Sequence, residues 1–505
     1  MLVLPVLLGL LPLLLVVLYL QFRWRHRHIL SAANKLRSPP ALPLIGNALY
    51  FLGDITSVTN NIVKFTTQFK GLFCLWVGPV PVFVATDPND VQTVLNSSNT
   101  LEKDDIYDFL KPYLGNGLLT GPVHQWKKQR RLLNPVLHPS NVDRFLPEFN
   151  AVGEELVRRL GQTPGEVDPR KGIFNAAVDA VMSTVVARKP LTKEAKEDIF
   201  HLLNNVGRMF TYRLFKVWLH IDWIFNVLYR REMKEANEKL AACVRVFNEH
   251  WDEAVQDRTK DGVVKVENES EGYAPKNMVD VAVVQVANGG CKREWFDEVT
   301  TMIVGATDTV VAAISFLLFT LANHPEIQDK VHAEIQEVLG DSDREVTQDD
   351  LRRMTYLGQA LMETMRIHGV FPCILRKVTK DIKLSEGTLP IGSRVMVTLH
   401  AMGWNPDTFP EPHKFVPERF CPELQRDPDH KRHHCAFLPF SGGPRSCIGK
   451  AYAMQMMKTV AVHVLRRFRV RTNVRLEDIQ YELKVVMHSR TPLLLSFETL
   501  QTSMV

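Results

Sequence analysis

The sequence predicts a mainly α-helical protein with a small β-sheet region and one N-terminal transmembrane helix. Three observations support this fold class. Long segments place apolar residues at helical spacing, only short runs look like strands, and the first twenty residues are uncharged and almost wholly apolar. With 505 residues and 45% hydrophobic content, the chain is long enough for one large core or for two to three ordinary domains.

The N-terminal segment has the pattern of a signal-anchor. Residues 1–20 are just long enough to span a bilayer as a helix, and Arg23, Arg25 and Arg27 follow directly. A cleaved signal peptide has basic residues before its apolar part and a small-residue cleavage site after it, and this segment has neither. The positive-inside rule leaves the rest of the chain in the cytosol. The expected regions are a transmembrane anchor (1–22), a basic and Pro-rich linker (23–43) and one folded domain (44–505).

Composition excludes several classes of protein. The net charge of +5 is small for this length and no long basic tract occurs, so nucleic acid is not an expected partner. The seven cysteines are odd in number, scattered and without C-x-x-C spacing. This pattern argues against a disulfide framework or a zinc site and indicates a reducing compartment.

Helical periodicity covers much of the chain beyond residue 120. The predicted helices span 123–137, 148–160, 199–208, 229–255, 293–322, 325–338, 354–368 and 451–468. The predicted strands are few and short, and they span 74–77, 81–85, 383–384, 394–398 and 484–486. Gly78-Pro79 joins the first two strands as a hairpin, and the polar stretch 257–277 is predicted to be a mobile loop.

The most informative stretch runs from Phe440 to Gly449 and reads FSGGPRSCIG. It places Cys447 at the end of a Gly- and Pro-rich turn, immediately before a predicted helix. The first N–H groups of a helix and the positive end of its dipole favour a thiolate over a thiol. Arg445 offers a fork for an anionic group, and the glycines let the backbone approach a flat ligand. A thiolate held in this way is the axial ligand that favours O–O cleavage on haem iron. The other interpretation is an inert, buried cysteine after a turn.

Phe440, Gly443, Arg445, Cys447 and Gly449 match the haem-binding signature of the cytochrome P-450 family, and the chain resembles these haem-thiolate monooxygenases. The resemblance implies the P-450 fold, with haem b held by Cys447 as the metal ligand. It also implies insertion of one atom of O2 into a lipophilic substrate, by hydroxylation or epoxidation. NADPH-cytochrome P-450 reductase would supply the electrons, with cytochrome b5 as a further candidate donor, at the endoplasmic reticulum (microsomal) membrane.

The centre of the long predicted helix, residues 305–309, reads GATDT. Small residues followed by an acid and an alcohol would leave room for O2 beside a proton source. Taken alone, the segment is better explained as an ordinary helix with a solvent-facing acid and a core threonine. By resemblance it is the family's oxygen-activation motif, in which Thr309 would hydrogen-bond the bound oxygen and Asp308 would help to relay protons. Ala306 replaces the usual Gly, and Val310 replaces the usual Thr or Ser.

Arginines are expected to hold the two carboxylates of haem, which they recognise in a forked geometry. Trp126 and Arg130 match the family's helix that holds a haem propionate, and Arg376 and Arg445 are the other expected partners. The basic residues beside them on this helix would attract an acidic flavoprotein donor, or they form an ordinary solvated face. They are Lys127, Lys128 and Arg131.

Glu363 and Arg366 stand three residues apart in a largely apolar helix, which suggests a buried pair that needs a third partner. With Arg419 they match the family's structural triad behind the haem, whose role would be folding and haem retention. A departure follows at 403–406, which reads GWNP where HRDP is common. The sequence alone offers no explanation for it.

The segment 298–309 resembles the same helix in the family-4 clan, and the general likeness is to an insect member. Many fatty-acid hydroxylases of that clan carry a Glu that esterifies a haem methyl group. Gly305 occupies the matching position, so we expect haem without an ester bond. The segments 106–119 and 209–228 lie where the family has its access loops. The second is interpreted as a membrane contact or as core.

Two alternative functions remain at this point. One is a haem-thiolate isomerase or dehydratase that acts without O2, and the presence of Asp308 and Thr309 counts against it. The other is a non-catalytic haem-binding protein, and the complete set of signature residues counts against that. Long-chain hydrocarbon, fatty acid, terpenoid and xenobiotic substrates all fit an apolar pocket, so the sequence does not identify the substrate.

Overall fold

The computed structural model describes residues 3–186, 190–260, 275–426 and 432–500, and in them the mainly helical fold with small sheets is confirmed. The helices are α1 Val3–Arg25, α2 Arg27–Ala33, α3 Ile55–Gln68, α4 Pro88–Asn96, α5 Lys111–Leu114, α6 Val123–Leu133, α7 Pro139–Val142, α8 Leu146–Gly161, α9 Arg170–Ser183, α10 Lys193–Phe215, α11 Asp222–Leu228, α12 Arg230–Lys260, α13 Met278–Ala287, α14 Lys292–Asn323, α15 Pro325–Leu339, α16 Gln348–Arg353, α17 Thr355–His368, α18 Leu399–Gly403, α19 Pro422–Arg426 and α20 Lys450–Leu465. The strands are β1 Leu72–Val77, β2 Val80–Ala85, β3 Ile374–Lys377, β4 Ile382–Leu384, β5 Gly387–Leu389, β6 Arg394–Val397, β7 Phe468–Arg471, β8 Tyr481–Leu483, β9 Met487–Ser489 and β10 Ser496–Thr499.

Helix α14 forms the centre of the helical core. No side chain from 310 to 321 is more than 4% exposed, and the helix packs against α9, α15, α17 and α20. A helix that is apolar on every face is one surrounded by protein. By length and composition α14 could also cross a membrane, yet 67% of its most apolar stretch is buried inside the protein. We therefore interpret it as a core helix.

The main sheet has four strands in the order β1-β2-β6-β3. β1 and β2 form the predicted antiparallel hairpin, in which Val77 pairs with Val80 across the turn. β2 runs parallel to β6, and β6 runs antiparallel to β3. The central strands are buried on both faces, which explains why they read as continuous apolar runs. This sheet brings β3, and with it Arg376, beside the N-terminal part of the domain.

The predicted strand at 484–486 is wrong. These residues form the bend between β8 and β9, in which the Lys484 N–H donates to Val486 O at 3.0 Å. The residues on either side make the strand pairs instead, with Leu483 opposite Met487. The bend therefore carries the two valines that had suggested a strand.

The other predicted elements are present with shifted ends. α6 stops at Leu133 because Pro135 cannot continue a helix. α12 continues to Lys260, into the predicted loop at 257–277, and residues 261–274 of that loop lie outside the described residues. The predicted linker at 23–43 contains the short helix α2, which the periodicity did not predict.

A buried ion-pair network ties α17 to the segment that precedes the cysteine loop. Glu363 and Arg366 are both 0% exposed, and Arg366 donates Nε and Nη2 to the two carboxylate oxygens at 2.7 and 2.8 Å. Arg419 Nε donates to Glu363 Oε1 at 3.2 Å. The three side chains thus meet as the triad pattern predicts, and the buried charges satisfy one another.

Gly403 and Trp404, the two residues that depart from the family pattern, contact α17 beside this network. Arg366 Nη1 donates to Gly403 O at 2.8 Å, and Trp404 Nε1 donates to Ile367 O at 3.0 Å. A Cβ at 403 would lie 3.0 Å from Arg366 Cγ and 3.2 Å from Arg366 O. Glycine therefore allows α18 to approach α17 closely, and the tryptophan adds a second bond between the two helices.

Gly403→Ala should destabilise the folded protein by about 1–3 kcal/mol, because the new methyl group meets Arg366 in a closed space. Gly358→Ala in α17 is the matched control. Its Cβ would meet only Lys458 Nζ, at 3.9 Å, so the change should be neutral or stabilising by up to about 1 kcal/mol. Thermal unfolding of both variants checks this. A Gly403→Ala variant with the wild-type Tm would contradict the packing argument.

Candidate active site

The cysteine loop, residues 440–449, is held by its own backbone. The Cys447 N–H donates to Phe440 O at 2.9 Å. Gly443 has φ +68°, and a Cβ there would lie 2.1 Å from Leu95 O, so the close approach requires glycine. The loop ends at Gly449, the N-cap of α20. These constraints fix the position from which the Cys447 side chain projects.

The Cys447 side chain is exposed. Burial raises the pKa of this thiol, and the Gly449 N–H and the charges of Arg130 and Lys450 lower it by a smaller amount. The Gly449 N–H at the start of α20 thus lowers the pKa of the thiol in the predicted direction, but burial outweighs it. A coordinated metal ion removes the proton from a thiol outright, so the thiolate forms when the metal binds.

Three cationic side chains converge beside the cysteine loop, and we call them the cation cluster: Lys103, Arg376 and Arg445. The Arg445 guanidinium lies over the Trp126 ring, 4.4 Å from its centroid, and Nη2 donates to Gly121 O at 3.2 Å. Lys103 pairs with Arg376 through a backbone bridge. Burial and the charges of Arg376 and Arg445 hold the pKa of Lys103 well below its usual range. The cluster is thus dense in positive charge.

Several donors of the cation cluster have no acceptor among the described residues. Arg376 Nη1 and Arg445 Nε and Nη1 are buried and have no hydrogen-bond partner there. Glu102, whose charge acts on Arg445, already accepts the Val123 N–H at 3.2 Å. Buried charged donors without acceptors are costly, so the site requires an anion. A flat ligand with two carboxylates, such as haem with its propionates, fits these donors.

Arg130 and Phe440 support the loop from outside the cluster. Arg130 Nη1 donates to Ser446 O at 2.7 Å, and its Nε donates to Asn134 Oδ1 at 2.9 Å. Arg130 therefore braces the cysteine loop from α6, and its predicted contact with a propionate stays a prediction. The Phe440 ring is partly buried against the main core.

A second cysteine, Cys435, lies upstream of the loop beside His433 and His434, and the ligand atoms of the three are within 4.8 Å of one another. Its side chain is buried in the core cluster behind the main sheet, and burial raises the pKa of its thiol. It has neither the glycine-rich turn nor the cation cluster beside it. Cys447 is therefore the stronger candidate for a haem ligand.

The middle of α14 offers an alcohol at the edge of a free volume. A Cβ built on Gly305 would have no other heavy atom within 4 Å, apart from its own helix and chain neighbours. Thr309 stands one turn later, and its hydroxyl donates to Gly305 O at 2.6 Å. This arrangement is what the oxygen-activation motif requires: space for a small molecule, with a hydroxyl group beside it.

Asp308 contacts the C-terminal hairpin. His488 Nε2 lies 3.1 Å from Asp308 Oδ1. Burial opposes ionisation of Asp308, but His488 and then Lys484 outweigh it, so the pKa of Asp308 is lowered. The sequence analysis missed His488 because no local pattern joins residues so far apart in the chain.

The start of α14 also reaches the cation cluster. Glu298 Oε2 accepts the Leu118 N–H at 3.1 Å, which fixes the turn that carries Gly121, the acceptor of Arg445. Burial, with smaller contributions from neighbouring acids, raises the pKa of Glu298 to about 8. The oxygen-activation helix and the cation cluster are thus joined through one short turn.

Comparison with known proteins agrees with this geometry. A family model described as Cytochrome P450 matches residues 36–496. The chain belongs to the cytochrome P450 family. This P450 is 28% identical to Cytochrome P450 4g15 of Drosophila melanogaster, over 94% of this chain and 93% of the relative. It is 30% identical to Cytochrome P450 4V2 of Mus musculus, over 88% and 87%. It is 29% identical to Cytochrome P450 4c21 of Blattella germanica, over 92% and 93%.

The P450 is therefore a haem-thiolate monooxygenase that binds haem b through a cysteine thiolate. Enzymes of this family take electrons from a redox partner and use O2 to oxidise lipophilic substrates. The predicted likeness to family-4 members, insect proteins included, is confirmed. These matches support the hypothesis of a monooxygenase over the two alternatives, a haem-thiolate isomerase or dehydratase and a non-catalytic haem-binding protein.

Removing a donor from the cation cluster should speed the loss of haem. We expect Arg376→Leu and Arg445→Leu each to raise the haem release rate about tenfold or more, because a hydrogen bond to a charged group contributes ~1.5–3 kcal/mol. Lys127→Met removes an exposed charge from α6 and should leave the rate unchanged. Transfer of haem to apomyoglobin measures the rate. Wild-type haem release in both arginine variants would contradict the assignment.

Proposed function

We propose that Cys447 is the axial ligand of the haem iron and that the cation cluster holds the haem propionates. The observation that carries this proposal is the group of buried guanidinium N–H donors beside the cysteine loop that have no acceptor in the described part of the chain. When bound, haem supplies the iron centre at which O2 is reduced. The Arg445 guanidinium packs on the Trp126 ring, and Arg130 holds the cysteine loop by donating a hydrogen bond to Ser446 O.

The chain's own chemical task is to supply protons on the α14 side of this site. The reaction consumes O2, two electrons and two protons, and one oxygen atom enters the substrate while the other leaves as water. The Thr309 hydroxyl lies at the free volume beside Gly305, and the Asp308 carboxylate is the neighbouring proton carrier. Because position 305 offers no carboxylate, the haem is held without an ester bond to α14.

The substrate we propose is lipophilic, in keeping with an apolar wall beside the oxygen-activation motif. Val304 packs against a buried cluster that includes Phe210, Leu375 and Leu483. These residues come from α10, β3 and β8, so the wall is made by three elements that meet above α14. An apolar wall stabilises a hydrocarbon substrate by burial and offers few hydrogen bonds.

The electron donor we propose is NADPH-cytochrome P-450 reductase, with cytochrome b5 as a second donor. α6 leads to the cysteine loop through Arg130 and carries exposed Lys127, Lys128 and Arg131. Lys128 also pairs with Glu294 at 3.2 Å, so part of this charge is already engaged. A basic face beside the haem thiolate would steer an acidic flavoprotein to the side from which electrons enter.

We place the protein in the endoplasmic reticulum membrane, with its catalytic domain in the cytosol. α1 has 23 residues, which gives a helix about 34 Å long, enough to cross a bilayer. A second apolar surface, the 217–228 face, exposes Trp218, Ile221, Trp223, Val227 and Leu228, while the other side of this segment is core. Val217 and Leu44 both approach Gly78, so this face adjoins the exposed apolar residues at 42–52. One membrane surface would cover both.

Thr309→Ala should leave haem bound but lower the product formed per NADPH by about tenfold or more, with hydrogen peroxide as the by-product. Thr307→Ala is the matched control, because its buried hydroxyl donates to Ile303 O on another face of α14. The assay uses purified reductase and dodecanoic acid as probe substrate. Unchanged coupling in Thr309→Ala would remove this hydroxyl from the mechanism.

Trp223→Phe should reduce the quenching of tryptophan fluorescence by brominated lipids in membranes that contain the full-length protein. The reason is that Trp223 is the most exposed aromatic residue of the 217–228 face. Trp295→Phe is the control, since Trp295 is buried in the core and out of reach of lipid. Equal quenching in wild type and Trp223→Phe would show that this face stays in water.

A further inference from the structure

Asp308 and His488 meet across two elements that are far apart in the chain. His488 lies on β9, and its Nε2 is 3.1 Å from Asp308 Oδ1 on α14. The side chains are only 10% and 23% exposed. His488 Nε2 is buried and makes no hydrogen bond within the described part of the chain. The carboxylate of Asp308 is therefore the group that this imidazole nitrogen faces.

The surrounding charged groups alternate in sign. Glu482 on β8 pairs with His488 across the hairpin, so the two side chains share one face of it. Lys484, in the bend, lies 2.5 Å from Glu482 Oε1 and donates to Asn204 Oδ1 on α10 at 2.7 Å. All of these side chains are mostly buried. A row of ionisable groups thus leads from α14 through the hairpin to α10.

The ionisation of Asp308 indicates which of these groups is suited to proton transfer. Although burial opposes its ionisation, the charges of His488 and Lys484 lower the pKa of Asp308, so the carboxylate is ionised near neutral pH. An ionised acid has no proton to give. Lysine stays protonated near pH 7, whereas histidine both binds and releases a proton there. Of the two positive neighbours, His488 is therefore the one suited to proton transfer.

We propose that His488 delivers protons to Asp308 and so makes the β8–β9 hairpin the proton supply of the oxygen-reduction site. The imidazolium gives its Nε2 proton to the Asp308 carboxylate, and the neutral imidazole, which keeps its Nδ1–H, regains a proton from solvent at Nε2 before the next transfer. Two such transfers supply the two protons of a turnover, and the redox partner supplies the two electrons. The inference rests on the proposed role of Asp308, and His488 acts through that residue.

The contact itself can be tested without enzyme activity. Thermal unfolding is measured for His488→Gln, Asp308→Asn and the double variant. Each single variant removes the same contact between imidazole and carboxylate, so the two Tm losses should not be additive. Additive losses would overturn the proposal.

The proton supply is tested by coupling. With reductase and dodecanoic acid as the probe, product per NADPH is measured from pH 6 to pH 8. His488→Gln should lower this ratio about tenfold and flatten its pH dependence, since glutamine keeps a polar side chain but cannot act as an acid or a base. Lys484→Met removes the other positive neighbour of Asp308 and should keep the wild-type pH dependence. A wild-type pH profile in His488→Gln would contradict the proposal.

The remaining outcomes are also decisive. If His488→Gln loses its haem, His488→Leu replaces it, and haem loss in both variants would overturn the proposal by showing that the histidine is structural. If the wild type forms no product from the probe, peroxide per NADPH is compared across the same variants. In that case a flattened pH dependence supports the proton supply, while the absence of product counts against the proposed function. The two failures are therefore distinguishable.

Discussion

The concentration of positive charge in the cation cluster is the constraint on which this active site depends. Burial and the charge of Arg376 lower the pKa of Arg445 to about 10, and burial with the charges of Arg376 and Arg445 holds the pKa of Lys103 well below its usual range. Such a cluster is stable only when an anion enters it. Haem binding therefore stabilises the fold by mass action, and the cluster couples β3, the turn at Gly121 and the cysteine loop to one ligand.

The contrast with the Glu363 network separates a structural site from a ligand site. Glu363 is bonded by Arg366 and Arg419, and the remaining Arg366 donors bind backbone carbonyls. That network is complete without any ligand. In the cation cluster, by contrast, Arg376 Nη1 and Arg445 Nε and Nη1 are buried without an acceptor among the described residues. The difference in hydrogen bonding, rather than in burial or charge, identifies where an anionic cofactor belongs.

The features that were predictable from sequence are those specified within one element. α14 has the predicted bounds to within a residue at each end, and the hairpin of β1 and β2 turns at Gly78-Pro79 as expected. The cysteine loop could be recognised because glycine, arginine and cysteine stand at fixed spacing within ten residues. Each of these patterns records a local requirement of the backbone.

The features that were missed depend on contacts between distant parts of the chain. Lys103 joins the cluster through a bridge to Arg376, and His488 reaches Asp308 from another sheet. The sequence offers no explanation for Gly403, whereas in the structure its carbonyl accepts a hydrogen bond from Arg366. The error at 484–486 has the same origin, because strand pairing decided which of several apolar residues lie in the bend. Local propensity does not contain this information.

The central claim is that Cys447 binds the haem iron, and the most direct test is the carbon monoxide difference spectrum of the reduced protein. It is recorded for the wild type, Cys447→Ser and Cys435→Ser. The account predicts a strongly red-shifted Soret band for the wild type and Cys435→Ser and its absence in Cys447→Ser. A red-shifted band that survives in Cys447→Ser, or that disappears in Cys435→Ser while haem stays bound, would contradict it.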